Sequence, residues 1–238
     1  MRRIPALRRA LRVVEATLAA PGVRRIVFET VDGAPYDFLA GQWVKLFLPG
    51  GIDRDYSIAS APVAGGGRLE LLVTRVDGGP GSEALHAMAP GTLVESLGPS
   101  GLFVREDEQA ELPALFVGTG SGVAPLRAML GAMPEGRAPA TLLFGCRTPL
   151  DVMFEDEWRA RAARDATFRF EATLSRADER WGGRRGYVQT HLRELLGAMP
   201  DTTHVYVCGL TKMITEVRRV LKEELGVDRR RVHSERYD

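Results

Sequence analysis

The chain has only two cysteines in 238 residues, Cys146 and Cys208, and they stand far apart with no CxxC. Cysteines alone therefore cannot build an iron–sulfur cluster or a zinc site here. Such sparse usage fits a reducing compartment, so a cytoplasmic location is expected. No apolar run approaches the roughly 20 residues that a membrane helix requires. Neither charge sign dominates: 32 basic against 31 acidic residues leave a net charge of +1. A global field for nucleic acid is thereby excluded. The first twelve residues, MRRIPALRRALR, lack acids altogether. With strand-like VVEATLAA following at once, they read as a solvated basic lead-in rather than a cleaved transit segment, or as a docking patch for an acidic protein.

What is present divides into two halves. In the first, short β-branched runs are split by turn residues: LRVVEATLAA and VRRIVFET around Pro21-Gly22, then Trp43–Leu48, RDYS, RLELLVTRV and TLVESL. Frequent Gly and Pro between short strands predict an antiparallel β-barrel. One helical stretch interrupts it at DGGPGSEALHAM, with Ser82 expected as its N-cap. The acidic stretch REDEQAEL then reads as a linker. In the second half strand and helix alternate to the end, from ALFVGTGSGVAPLRAML to RVHSERY. That alternation predicts a parallel α/β sheet whose ligands sit at the carboxyl ends of its strands. The expected division is a barrel domain over 1–108 and an α/β domain over 109–238.

Several residues could carry chemistry. Arg54 and Tyr56 of RDYS should share one face of a strand, opposite Asp55 and Ser57. An arginine fork suits a diphosphate, and a tyrosine beside it can lie against a flat ring. The glycines before Ser82 either offer backbone N–H groups to an anion or simply supply a flexible turn. Gly118-Thr119-Gly120-Ser121-Gly122 lies between a strand and a helix, the context of a phosphate-binding turn, though it is no strict GxGxxG. Cys208 closes the strand HVYVC, as core or as a ligand contact.

The motifs RDYS, GGPGS, GTGSGVAP, VYVCG and the terminal SERY stand in this order along nearly the whole chain. In that order they resemble the ferredoxin–NADP⁺ reductase superfamily. The resemblance implies an N-terminal barrel holding FAD and a C-terminal domain holding NAD(P)H. It implies that Arg54, Gly81 and Ser82 hold the FAD diphosphate, that Tyr56 lines the flavin, and that Ser57 bonds near flavin N5. Leu72, Val73 and Thr74 would run beside the flavin and ribityl chain. Gly118, Thr119 and Gly120 would face nicotinamide and pyrophosphate, with Cys208 and Gly209 opposite. Tyr237 would stack on the flavin, and Glu235 would move protons with Ser57 or remain a solvated acid. Ser175-Arg176 after FRFEATL, with Tyr187 beyond, would select NADP over NAD, with Arg184 and Arg185 adding charge; NAD stays possible. The implied activity is hydride exchange between NADP(H) and FAD, with single electrons passed to ferredoxin or flavodoxin by a monomer. The alternatives are an NADH-dependent reductase component of an oxygenase system and a nucleotide-binding electron-transfer subunit of a larger complex.

Overall fold

The computed structural model describes residues 4–105 and 107–237. These form two compact units. One comprises the residues up to Arg105 together with Arg127–Ala132, and the other holds the remainder.

The first unit is a six-stranded antiparallel sheet. Its strands are β1 (Leu7–Ala20), β2 (Val23–Thr30), β3 (Trp43–Leu48), β4 (Ile52–Ser57), β5 (Arg68–Thr74) and β6 (Leu93–Ser100), in the order β4-β3-β6-β1-β2-β5. The two outer strands meet through an Ile58–Leu71 bridge and an Ala59 N–H bond to Glu70 O of 2.8 Å, which curls the sheet closed. Alternation supplies the core: Leu69, Leu71 and Val73 of β5 pack with Leu11, Val13, Ile26, Phe28, Val44 and Leu46. Helix α1 (Pro80–Ala87) covers one end, and its Leu85 joins that core.

The second unit is a parallel sheet. Its strands are β7 (Ala114–Thr119), β8 (Ala140–Cys146), β9 (Phe168–Leu174), β10 (Arg184–Arg185), β11 (His204–Leu210) and β12 (Val232–Tyr237), in the order β10-β9-β8-β7-β11-β12. Helices α2 (Val123–Ala132), α3 (Glu155–Arg164), α4 (Leu192–Gly197) and α5 (Thr211–Arg219) intervene. Successive strands step outward from β7 to β10, and the chain then returns to place β11 on the other side of β7. The order reverses there, so a ligand crevice is expected outside the carboxyl ends of β7 and β11. One sheet face packs Leu115, Val117, Val205 and Val207 against Ile214 and Val217 of α5.

The barrel and the α/β sheet match the expected architecture, with three differences. The basic lead-in is largely strand: Leu7–Arg12 pairs with β6. Arg8 stacks on the Phe47 ring at 4.6 Å, while Arg9 and Arg12 pair with Asp32 and Glu29. Its first three residues lie outside the described ones. Ser82 is not the N-cap of α1; Gly79 is, and Ser82 sits inside the first turn. The run DVMFEDEWRARAAR, which by itself reads as one helix, becomes helical only at Glu155, because Pro149–Asp151 forms a separate 3-10 turn and Phe154 adopts φ 58°.

Candidate functional site

The residues singled out above fall into one group in the first unit and two in the second. In the first unit, Lys45 Nζ binds Asp53 Oδ2 at 2.6 Å and Asp55 Oδ1 at 2.9 Å, which holds both carboxylates on one side of β4. Arg54 and Tyr56 therefore face the other way, as the two-residue period requires. They meet the start of α1. A Cβ added to Gly81 would lie 3.0 Å from Arg54 Cγ and 3.6 Å from the Tyr56 hydroxyl. A side chain there would crowd both residues, so glycine leaves the helix N-terminus open beside a guanidinium. Arg54 donates to Asp53 O at 2.7 Å, and no carboxylate pairs with it among the described residues. Burial raises the Tyr56 phenol above its ordinary pKa, and the Arg54 charge partly offsets this.

The loop before α1 is partly self-satisfied. Ser82 Oγ accepts from Val76 N–H at 3.0 Å and reaches Gly79 O at 3.0 Å. Gly78 N–H donates to the Glu83 carboxylate at 3.2 Å. What remains for an anion is the first amides of α1, which have no partner within the helix. Ser57 is buried at the end of β4. On β5, Val73 faces the barrel core and Leu72 the opposite side, both buried, while Thr74 is exposed. His86 Nε2–H donates to Val73 O at 2.9 Å, which ties α1 to that strand.

In the second unit, Gly118 and Cys208 are register partners across β7 and β11. A Cβ on Gly118 would meet Leu126 at 2.9 Å, so glycine lets α2 pack closely behind the turn. A Cβ on Gly122 would run into the Cys208 carbonyl and would approach Gly209 Cα at 2.7 Å. Gly209 has φ +153°, and a Cβ there would strike the Thr119 hydroxyl. Thr119 Oγ1 is itself buried without a hydrogen-bond partner among the described residues. Gly118, Thr119, Gly120, Cys208 and Gly209 thus come together at the crevice.

Cys208 is fully buried. Burial first, and the neighbouring Glu235 second, push its thiol well above the ordinary cysteine range, while a hydrogen bond with Tyr237 acts in the opposite sense. Glu235 stands opposite Cys208 in the β11–β12 register, and Tyr237 opposite Leu210. Tyr237 is thus held in a strand rather than frayed.

A further group gathers where β8, β9 and β10 end. Ser175 N–H donates to Cys146 O at 3.0 Å and Arg176 N–H to Arg147 O at 2.9 Å. Ser175, Arg176 and Tyr187 are all exposed, Tyr187 by 66% of its surface. The Arg176 side chain has no partner among the described residues.

Two family models match these units: "Oxidoreductase FAD-binding domain" over residues 10–104 and "Oxidoreductase NAD-binding domain" over residues 116–219. The chain is 49% identical over 237 residues to ferredoxin–NADP reductase B of Sorangium cellulosum, covering 95% of this chain and 96% of that one. It belongs to the ferredoxin–NADP⁺ reductase family. A second relative, the toluate 1,2-dioxygenase electron transfer component of Pseudomonas putida, is 31% identical over 79% of this chain, which spans only 55% of that longer protein. Among solved structures, the Amycolatopsis cytochrome P450 reductase GcoB superposes with a TM-score of 0.88 at 28% identity, covering 98% of this chain and 70% of that one.

Membership of an FAD- and NAD-binding family can be tested against the residues present. An unpaired arginine beside an open helix N-terminus fits a diphosphate. An orphaned hydroxyl in a glycine-walled crevice fits a polar ring substituent. An exposed arginine just past β9 and an exposed tyrosine just past the paired strand β10 fit a phosphorylated ribose and its base. Two features went unseen in the sequence. Arg147, also exposed and unpartnered, adjoins Arg176 through the backbone bond above. Arg184 does not add free charge, as was expected: it is neutralised by Glu171 at 3.1 Å and Glu194 at 2.7 Å. No spacing rule links Arg147 to Arg176; only the sheet order does.

Proposed function

We infer that this chain is an FAD-dependent oxidoreductase that exchanges hydride with NADP(H) and passes single electrons to a small carrier protein, ferredoxin or flavodoxin. The observation that carries the nucleotide preference is the exposed Arg176 just past the end of β9, unpaired among the described residues, with exposed Tyr187 just past the neighbouring β10 and no acid at Ser175-Arg176. An acid there would favour a ribose diol and repel a 2′-phosphate, whereas arginine attracts it.

Bound FAD would supply the conversion between a two-electron hydride and two single-electron steps. The chain's own residues bind and orient. Arg54 and the first amides of α1, at Gly81 and Ser82, offset diphosphate charge, and the Tyr56 ring offers a flat wall with Leu72, Val73 and Thr74 along the next strand. Ser57 offers a hydroxyl for the flavin edge. Thr119, across from Gly209, offers the nicotinamide a hydroxyl that is already desolvated, so bonding to it forfeits no water. Gly118 and Gly120 let the backbone approach. Cys208 presents a neutral thiol, which suits a packing contact and not a nucleophile. Glu235 is the acid placed to hold or move a proton, with Tyr237 capping the same sheet face.

A second reading, a reductase component that feeds an oxygenase and uses NADH, is supported by the likeness to the toluate dioxygenase component. A subunit that binds nucleotide within a larger complex would show no turnover alone. Cytoplasmic location and a monomeric state belong to the same proposal; both cysteines being free and buried supports the former. No helix among the described residues is long and apolar enough to cross a membrane. The deciding experiment is an absorbance spectrum of the purified protein, followed by anaerobic titration with NADPH and NADH and then with oxidised ferredoxin or flavodoxin. A colourless protein that takes up no FAD would overturn the reading.

A further inference from the structure

Arg185 lies beside Leu174 in the short β9–β10 pairing, at the base of the loop that carries Ser175 and Arg176. Its guanidinium is exposed but is not a free charge. Nη2 donates to Asp178 O at 2.7 Å and to Trp181 O at 2.8 Å, and Nη1 donates to Ala177 O at 3.3 Å. Three carbonyls of one loop therefore converge on one planar fork. Trp181 Nε1–H donates to Arg184 O at 2.8 Å and so closes the loop from the far end. Gly183 is tight against the Trp181 ring, where a Cβ would sit 2.7 Å from Cζ2. Arg180 N–H donates to the Asp178 carboxylate at 3.0 Å, adding an internal turn. A nine-residue loop with no helix or strand of its own, Ser175 to Gly183, is thus organised around a single side chain.

We propose that Arg185 is a positioning residue for nucleotide selection: it holds the 175–183 loop so that Arg176 is presented in a fixed place, and it is not itself the phosphate ligand. This rests on the reading of the β9 edge as the site of the 2′-phosphate. The physical basis is geometric. A guanidinium offers five donors in a rigid fork, so one residue can satisfy three carbonyls whose directions differ. Lysine offers a compact charge on a flexible stem and cannot reproduce that fork. Ordering the loop in advance removes a cost that would otherwise be met on binding. The carbonyls are near the surface and water can replace the lost donors, so the fold tolerates the loss while the loop does not.

The experiment is a double-mutant cycle on the FAD-loaded full-length protein, with R176A, R185M, R185K and R176A/R185M assayed with NADPH and NADH. The nucleotide 2′,5′-ADP serves as a binding probe at two salt concentrations. R185M is expected to raise the KM for NADPH by roughly three- to tenfold, the scale of one or two lost ordering contributions, and to raise that for NADH less than twofold. R185K should behave like R185M. In the R176A background the R185M effect should vanish, since nothing remains to be positioned. The salt dependence of 2′,5′-ADP binding should change in R176A and not in R185M. Direct phosphate contact would give the opposite pattern: additive effects, substantial rescue by R185K, and a shallower salt slope for R185M; that result, or an unaltered NADPH KM in R185M, overturns the proposal. If R176A itself leaves the NADPH-to-NADH ratio intact, the nucleotide reading fails, which is a separate outcome.

Discussion

The backbone N–H of Arg176 donates to the carbonyl of Arg147 at 2.9 Å, so two exposed guanidinium-bearing residues from neighbouring strand ends are locked together by their main chains. Neither side chain has a partner of its own among the described residues. Each desolvated, charge-assisted bond to a phosphate contributes about 1.5–3 kcal/mol, or roughly tenfold and more in affinity. Arg147→Ala and Arg176→Ala are therefore each expected to raise the NADPH KM at least about tenfold and to leave the NADH KM within about twofold. Steady-state kinetics with both nucleotides checks this.

Arg54 beside Gly81 leads to a second expectation. Arg54→Ala should weaken FAD binding by about ten- to hundredfold, from the loss of a charge-assisted diphosphate contact. Arg54→Lys should recover part of it, because a point charge remains. Flavin absorbance per mole of protein after gel filtration is the readout, and full retention in the alanine variant would remove Arg54 from the site.

Gly122→Ala tests the crevice wall. The added methyl would press on the Cys208 carbonyl and on Gly209. Overpacking of this kind costs about 1–3 kcal/mol. The midpoint of urea unfolding should fall, and nucleotide affinity should fall with it. Gly197→Ala, where nothing lies within 4 Å of the added atom, serves as the control.

His191 yields a pH prediction. Its ring lies 3.0 Å from Thr173 Oγ1 and 3.1 Å from Arg185 O through Nε2, with Arg184 Nη1 3.5 Å from Nδ1. Burial first, and the Arg184 charge second, hold its pKa below the ordinary 6.5. The folded value is therefore lower than the unfolded one, and folding favours the neutral ring. The resulting stability is fully present above pH 6.5 and is lost as pH falls through the folded value. His191→Gln should flatten the fall of stability with acidification in that window, measured by urea midpoints between neutral pH and pH 4–5.

Both thiols should resist alkylation. Cys146 and Cys208 are buried, and burial raises each above the usual thiol range. Iodoacetamide at neutral pH is expected to label neither in the native protein and both after unfolding, as read by mass spectrometry.

Much of the fold was legible because its punctuation is chemical. Pro21-Gly22 ends one strand and starts the next, and Trp43–Leu48 has the bounds read from Gly41 and Pro49. The shared face of Arg54 and Tyr56 followed from the strand period alone. Other features depend on partners distant in sequence. Leu7 to Ala10 read as a lead-in because the strand that pairs with them, β6, lies more than eighty residues on. Ser82 has the composition of a cap, yet Gly79 reaches the cap position first and the Ser82 hydroxyl turns back to Val76. Arg184 reads as a free cation until Glu171 and Glu194 are brought to it. The two-residue β10 is too short for any periodicity to show.

The reversal of strand order at β7 also bears on biosynthesis. As the polypeptide leaves the ribosome, β7 can recruit β8, and β8 can recruit β9, but the opposite flank of β7 stays bare until β11 emerges. Gly118 and Cys208, which face each other in the finished sheet, are among the most widely separated partners in the second unit. Nicotinamide nucleotide is therefore not expected to assist the early half of this unit, because the proposed cleft between β7 and β11 has one wall missing until β11 has been made.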